Sequence, residues 1–100
     1  MKFLEKLFGA RIEGPQAKRL VDEGALLLDV RTAGEYDGGH LPGAVNIPVD
    51  RLADGMRQLP DPDRVIVVYC RSGVRSSRAA GLLRRAGFAT VHDLGGMSNW

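Results

Sequence analysis

An open, mostly parallel α/β sheet with helices on both faces is the fold class this sequence predicts, and three observations predict it. Apolar runs without two-residue alternation, at residues 25–30 and 64–69, read as strands covered on both sides. Other segments repeat their apolar residues at three and four, the spacing of a helix face. Gly and Pro punctuate the chain at short intervals, as they do where strands and helices alternate. The resulting order, β-α-β-α-β-α-β-α-β, makes a five-stranded sheet.

Taken from the start, Phe3, Leu4, Leu7 and Phe8 share one side of a helical wheel, so residues 1–11 read as an amphipathic extension packing on a domain of residues 12–100. Glu5 and Lys6 interrupt the apolar run, and no apolar core of about 7 residues follows, which argues against an export signal. Ile12-Glu13 reads as a short edge strand. Pro15 then opens a helix with Leu20 and Val21 inward, ended by Gly24. Ala25 to Val30 is the next strand. A polar turn carrying Glu35-Tyr36 leads into the loop Gly38-Gly39-His40-Leu41-Pro42-Gly43, and Ala44-Val45-Asn46-Ile47 returns to the sheet before Pro48 stops it.

Asp50 is placed to cap a helix running to Gln58, with Leu52, Met56 and Leu59 on its buried side. Pro60-Asp61-Pro62-Asp63 forces a turn. Arg64 to Tyr69, centred on the β-branched run Val65-Ile66-Val67-Val68, belongs in the middle of the sheet. From Ser76 to Ala86 the residues Ala79, Leu82, Leu83 and Ala86 make a helix face, with Arg84 and Arg85 in the last turn and Gly87 beyond it. Phe88 to Val91 supplies the fifth strand, and Gly95-Gly96 precedes a turn that ends at Trp100.

Composition narrows the function. With 44% hydrophobic residues, 26% charged and 13 glycines in 100 residues, the chain has room for one core and no second domain. Its 14 Lys and Arg are interleaved with 12 acidic residues for a net charge of +2, so no nucleic-acid partner is implied. No apolar stretch approaches the roughly 18 residues of a membrane span. A single cysteine rules out an internal disulfide, and in a reducing cytoplasm, the expected compartment, its thiol stays available.

That cysteine, Cys70, falls directly after the central strand and before the best helix, at the strand carboxyl end where open α/β sheets collect ligands. The loop from Cys70 to Arg75 explains how a thiolate is held there. Gly73 permits a tight curl, successive N–H groups point inward as an anion nest, and the following helix presents its positive end. Arg71 and Arg75 add two charges expected to lower the thiol pKa. A lower pKa raises the thiolate fraction but lowers its intrinsic nucleophilicity, so most of the gain cancels. The larger role expected for the cradle is therefore to hold a sulfur anion and an anionic donor. An inert buried cysteine would need apolar neighbours that this loop lacks.

Here the sequence resembles the rhodanese (sulfurtransferase) family. The resemblance rests on Leu28-Asp29-Val30-Arg31 with Glu35-Tyr36, Gly39-His40-Leu41-Pro42-Gly43-Ala44, Asn46-Ile47-Pro48, Tyr69-Cys70-Arg71-Ser72-Gly73-Val74-Arg75-Ser76, and Leu94-Gly95-Gly96 with Trp100. It spans residues 12 to 100, its specificity lying in the ordered set. It implies a single-domain sulfurtransferase in which Cys70 is catalytic and carries a persulfide, with Arg71, Ser72, Gly73, Val74 and Arg75 binding substrate. Thiosulfate or a persulfide is the implied donor, cyanide or a thiol the acceptor, and no cofactor or metal is required. Arg75 closes Cys-x4-Arg, one residue short of the related phosphatase loop, which disfavours phosphoryl chemistry. Family members usually continue past the Gly-Gly-x-x-x-Trp region, whereas this sequence ends at Trp100, which bears on closing packing and not on the loop.

The other polar residues suit structure better than chemistry. Asp29, Arg31 and Glu35, spread over a strand end and a turn, fit an ion-pair network near the site. His40, between Gly39 and Leu41-Pro42, fits loop hydrogen bonding, since a cradled thiolate needs no base. His92 is expected at the surface, without the partners a metal would require. Arg78, on the first turn of the helix after the loop, either enlarges the positive field at the pocket mouth or faces solvent, the second being the expectation. A non-catalytic module that binds a partner through the same loop is the rival reading, and Cys70 argues against it.

Overall fold

The structure is a computed structural model that describes residues 11–59 and 61–100. Apart from Arg11, the expected amphipathic extension lies outside the described residues. Helix α1 (Gly14–Asp22) leads to strand β1 (Leu26–Asp29), the short helix α2 (Ala33–Asp37) and strand β2 (Val45–Asn46). A one-turn helix α3 (Leu52–Gly55), strand β3 (Ile66–Cys70), helix α4 (Val74–Arg85) and strand β4 (Val91–Gly96) complete the order.

All pairings are parallel, in the order β2-β1-β3-β4, with β3 central as expected. Strand parity divides the core. Leu26, Leu28, Ile66, Val68 and Cys70 face α3 and α4, where Leu52, Ala79, Ala80 and Leu83 meet them. Leu27, Val67, Tyr69 and Leu94 face the other way, against Ile12 and Ala17, with Leu20, Val21 and Trp100 closing the edge. Helices therefore cover both faces. No described helix is long and apolar enough to cross a membrane.

The described sheet has four strands, not five. Beside β4 the described residues contribute one isolated bridge, Arg11 to Asp93, with the Ile12 N–H donating to the Asp93 carbonyl at 3.0 Å. Helix α1 begins at Gly14, with a proline in its first turn, so no strand can run on. Gly14 has no room for a side chain, because a Cβ there would overlap the carbonyl oxygens of Asn99 and Trp100.

Local differences have local causes. The expected turn at Glu35-Tyr36 is a helix, nucleated by a capping box in which the Thr32 hydroxyl accepts from the Glu35 N–H and Glu35 accepts from the Thr32 N–H. The expected helix to Gln58 is broken into α3 between two 3-10 turns, Val49–Arg51 and Met56–Gln58, and Asp50 does not cap it because the first turn already starts after Pro48. The last strand starts at Val91, not Phe88, and runs through Gly95-Gly96 with a bulge at Leu94, where the register jumps from Val68–Asp93 to Tyr69–Gly95. His92, expected at the surface, is half-buried on that strand with an unbonded Nδ1, and burial followed by the charge of Arg84 lowers its pKa.

Candidate active site

Because Cys70 ends β3 with the parity of Val68, its side chain lies on the α4 side of the sheet, at the floor of the loop that climbs into α4. Gly73 is the N-cap of α4 at φ +105°, a left-handed conformation that L side chains rarely adopt. That turn aims the Gly73 N–H at Cys70 Sγ, 2.9 Å away. The cysteine is only 1% exposed, whereas Arg71, Ser72 and Val74 above it are exposed, Val74 to 77%. Access to the sulfur is through the mouth these residues form.

Burial pushes the Cys70 thiol up, but hydrogen bonds outweigh it, and the pKa settles below the ordinary thiol value. They come from the Ser76 hydroxyl, then from the backbone N–H groups of Ser76, Gly73 and Ser72. Hydrogen bonds from the loop and first turn thus outrank the expected charge contribution. In the structure the Ser76 hydroxyl, fully buried, spends its single proton on the Gly73 carbonyl at 3.1 Å, bracing the same turn, and it turns that proton to the sulfur when Cys70 is a thiolate. In the sequence Ser76 stands only as the start of the helix and the end of the family motif, with nothing that marks it as a donor to Cys70.

Arg75 is already engaged. Its Nη1 and Nη2 donate to the two carboxylate oxygens of Glu35 at 2.6 and 3.0 Å, and its charge still acts on Cys70. Arg71 is exposed and makes no ion pair among the described residues. Arg78 meets Asp50 at 3.5 Å with both side chains largely in water, a weak contact.

Asp29 and Arg31 form a second cluster on the opposite face of the sheet from Cys70. The Asp29 carboxylate accepts from Arg31 Nε at 3.1 Å and Nη2 at 2.7 Å, from the Arg31 N–H at 2.9 Å, and from the Tyr69 hydroxyl at 2.6 Å. The Tyr69 oxygen accepts the Leu41 N–H at 3.1 Å, and Arg31 also donates to the Gly39 carbonyl at 2.7 Å. Both acid and base are buried and bonded, Arg31 through Nε and Nη2, so the network ties the loop before β2 to the central strands. Burial and then the bond to Asp29 raise the Tyr69 pKa, which keeps it a donor. His40 stacks on Tyr36 with ring centroids 3.7 Å apart, its Nδ1 3.0 Å from the Tyr36 carbonyl oxygen, and is exposed. Nothing in that geometry directs it at the sulfur.

A cavity of about 240 Å³ opens at the other end of the strands, between Leu26, Ile66 and Phe88. It holds no nucleophile, so the arrangement with reactive chemistry is the loop around Cys70. There, an anionic sulfur would sit in a ring of N–H donors.

Comparison with known proteins follows the same lines. The sequence model of the rhodanese-like domain family matches residues 14–100. A sulfurtransferase of Allochromatium vinosum is 40% identical over 86 residues, covering 84% of this chain and 79% of that protein. The thiosulfate sulfurtransferase GlpE of Pseudomonas syringae pv. syringae is 36% identical over 91 residues, covering 90% of this chain and 85% of that one. The human single-domain sulfurtransferase TSTD1 superposes with a TM-score of 0.76 at 26% identity, over 93% of this chain and 91% of that one. Other curated relatives are longer, and the chain spans 60% of one and 24% of another.

Proposed function

The chain belongs to the rhodanese-like domain family, and on that premise we propose that it is a sulfurtransferase that carries sulfane sulfur on Cys70. The observation that supports this reading best is the Cys70 sulfur receiving the Gly73 N–H at 2.9 Å, one of a set of donors, the Ser76 hydroxyl foremost and the loop N–H groups after it, that lower its pKa. The thiolate attacks the outer sulfur of thiosulfate, the S–S bond of the donor breaks, and sulfite leaves with the bonding pair. Cys70 is then a persulfide anion, and the N–H ring that held the thiolate is placed to hold that charge.

Burial of the thiol gives the persulfide a second use. A new S–S bond extends the side chain by about 2 Å, carrying the reactive terminal sulfur from the loop floor toward the mouth. There cyanide or a thiolate attacks the terminal sulfur, takes it as thiocyanate or a persulfide, and releases the Cys70 thiolate. Neither step needs a metal or an organic cofactor. A persulfide donor enters by the same attack, with a thiolate as leaving group, and a reducing cytoplasm would keep Cys70 in the thiol form between turnovers.

Intact mass spectrometry tests this. The wild-type protein treated with thiosulfate gains one sulfur atom and loses it to cyanide, whereas Cys70→Ser folds and gains none, since a hydroxyl forms no persulfide. A wild type that takes no sulfur from thiosulfate or from a small persulfide, or a Cys70→Ser that still turns over, overturns the reading.

A further inference from the structure

The geometry points to Arg11 as a specificity-determining residue that makes Cys70 select anionic reaction partners. This rests on Cys70 being the reacting sulfur, and it adds a residue from outside the loop motif. Arg11 pairs with Asp93 at the outer edge of β4, and its side chain lies over the end of that strand. A Cβ built on Gly95 would lie 2.8 Å from Arg11 Nε and Cζ, so the guanidinium rests directly against that glycine. Nη2 is also 3.9 Å from where a Cβ of Gly73 would be. Gly73 is the residue whose N–H bonds Cys70 Sγ at 2.9 Å, which puts the Arg11 charge within about 10 Å of the sulfur.

The charges around the loop are not equivalent. Arg75 is matched by Glu35 and Arg78 faces Asp50, so each of those pairs contributes little net field. Arg11 is exposed and forms no hydrogen bond or ion pair through its guanidinium among the described residues, and Arg71 likewise has no ion-pair partner. Arg71 extends from the loop into solvent, whereas Arg11 is laid along two glycines that leave it space. Arg11 thus supplies a positive charge without a direct ion pair on the β4 side of the loop, where the Asp93 carboxylate is already held by the Gly95 N–H at 2.8 Å, opposite the flank where Glu35 cancels Arg75. An incoming thiosulfate dianion gains from that charge, and a neutral reagent does not.

Alkylation of Cys70 reads this field without requiring sulfur transfer. The rates with iodoacetate, an anion, and iodoacetamide, its neutral counterpart, are measured on the full chain as wild type, Arg11→Gln and Arg11→Lys, at low and high salt. At a separation of about 10 Å in a largely aqueous setting, loss of one charge should lower the iodoacetate to iodoacetamide rate ratio by roughly two- to fivefold. Arg11→Lys should recover most of the ratio, and high salt should erase the difference between variants. In parallel, Arg11→Gln should raise KM for thiosulfate by roughly the square of that factor, since thiosulfate carries two charges, with kcat little changed.

An unchanged ratio in Arg11→Gln at low salt overturns the inference, as does an equal fall with both reagents, which would mean that Arg11 only packs the loop. If the ratio responds while wild type transfers no sulfur, the inference stands and the sulfurtransferase reading fails.

Discussion

Arg75 grips Glu35 by two parallel hydrogen bonds, Nη1 to Oε1 at 2.6 Å and Nη2 to Oε2 at 3.0 Å, which tie the first turn of α4 to the first turn of α2. The pair joins segments 40 residues apart, one beside the sulfur and one nucleated by its own capping box. A guanidinium has five N–H donors, so this fork leaves others free for an anion at the loop.

Removing Arg75 should therefore do two things at once. It takes away donors to thiosulfate, and it leaves the Glu35 carboxylate near the site without its cation. Arg75→Ala should lower kcat/KM for thiosulfate by roughly 10- to 100-fold, the scale of about 1.5 to 3 kcal/mol for a hydrogen bond to a charged group. Glu35→Gln combined with Arg75→Ala should recover severalfold of that loss. Steady-state kinetics on the four proteins of the cycle measure the coupling, and strict additivity would mean that Glu35 exerts no repulsion at the site.

The same pair sets an acid dependence. Hydrogen bonding by Arg75, then by the Thr32 N–H, lowers the Glu35 pKa from 4.5 to about 2. A folded value below the unfolded one means that the unfolded chain takes up the proton first, so stability falls as pH falls. The contribution of Glu35 should be complete above about 4.5 and gone once the pH has dropped through about 2. Urea unfolding of wild type and Glu35→Gln should show a stability gap at neutral pH that narrows across that window. A gap that stays constant from neutral pH down through the window would remove the ion pair as its source.

Ser76 should control the ionisation of Cys70. Its hydroxyl is the foremost of the groups lowering that pKa, and Arg71 is not among the causes that stand out. Ser76→Ala keeps the backbone N–H and fits the buried space, so it should fold and shift the pH midpoint of iodoacetamide reaction upward. Above the new midpoint its rate should reach or exceed that of wild type, since the more basic thiolate is the better nucleophile. Arg71→Ala should leave the midpoint in place, and a Ser76→Ala profile coinciding with wild type would return the effect to the backbone alone.

What could be read in advance follows from how each signal arises. The β3 strand and α4 were legible because a β-branched run and a three-four apolar spacing are the direct imprints of a central strand and a buried helix face, and Cys70 sits where one gives way to the other. Helix α2 is too short to show periodicity, yet its capping box, Thr32 with Glu35 three residues on, was present as a signal. The expected first strand is a single bridge, because Ile12-Glu13 ahead of Gly14-Pro15 looks the same in sequence whether it forms a strand or one bridge. Ser76 and the roles of the two arginines depend on which partner each group meets in space. No spacing along the chain distinguishes an arginine matched by Glu35, as at Arg75, from one laid over Gly95, as at Arg11.

Gly96 is the sharpest case, since the Gly95-Gly96 pair is expected to lie past the last strand, leading into a turn, and proves to be the end of β4. Gly96 has φ −78° and ψ 148°, an ordinary extended conformation that any residue adopts. By conformational entropy alone, alanine there would stabilise the protein by about 0.4 to 1 kcal/mol. Space decides otherwise: a Cβ would lie 2.8 Å from the Arg71 carbonyl oxygen and 3.6 Å from the Arg71 carbonyl carbon and Ser72 Cα. These are backbone atoms of the loop, so relief has to come from moving the loop itself. Gly96→Ala should lose about 1 to 3 kcal/mol of stability as an overpacked site. It should also raise the pH midpoint of Cys70 alkylation, because displacing residues 71–73 lengthens the bond from the Gly73 N–H to Sγ. Gly87→Ala is the control. Its φ of +103° makes alanine strained, but nothing lies within 4 Å of the added Cβ, so it should lose stability and leave the cysteine profile unchanged. Urea unfolding and iodoacetamide kinetics on both variants separate the two effects, and a Gly96→Ala protein with the wild-type midpoint would show that β4 does not set the position of the sulfur-binding loop.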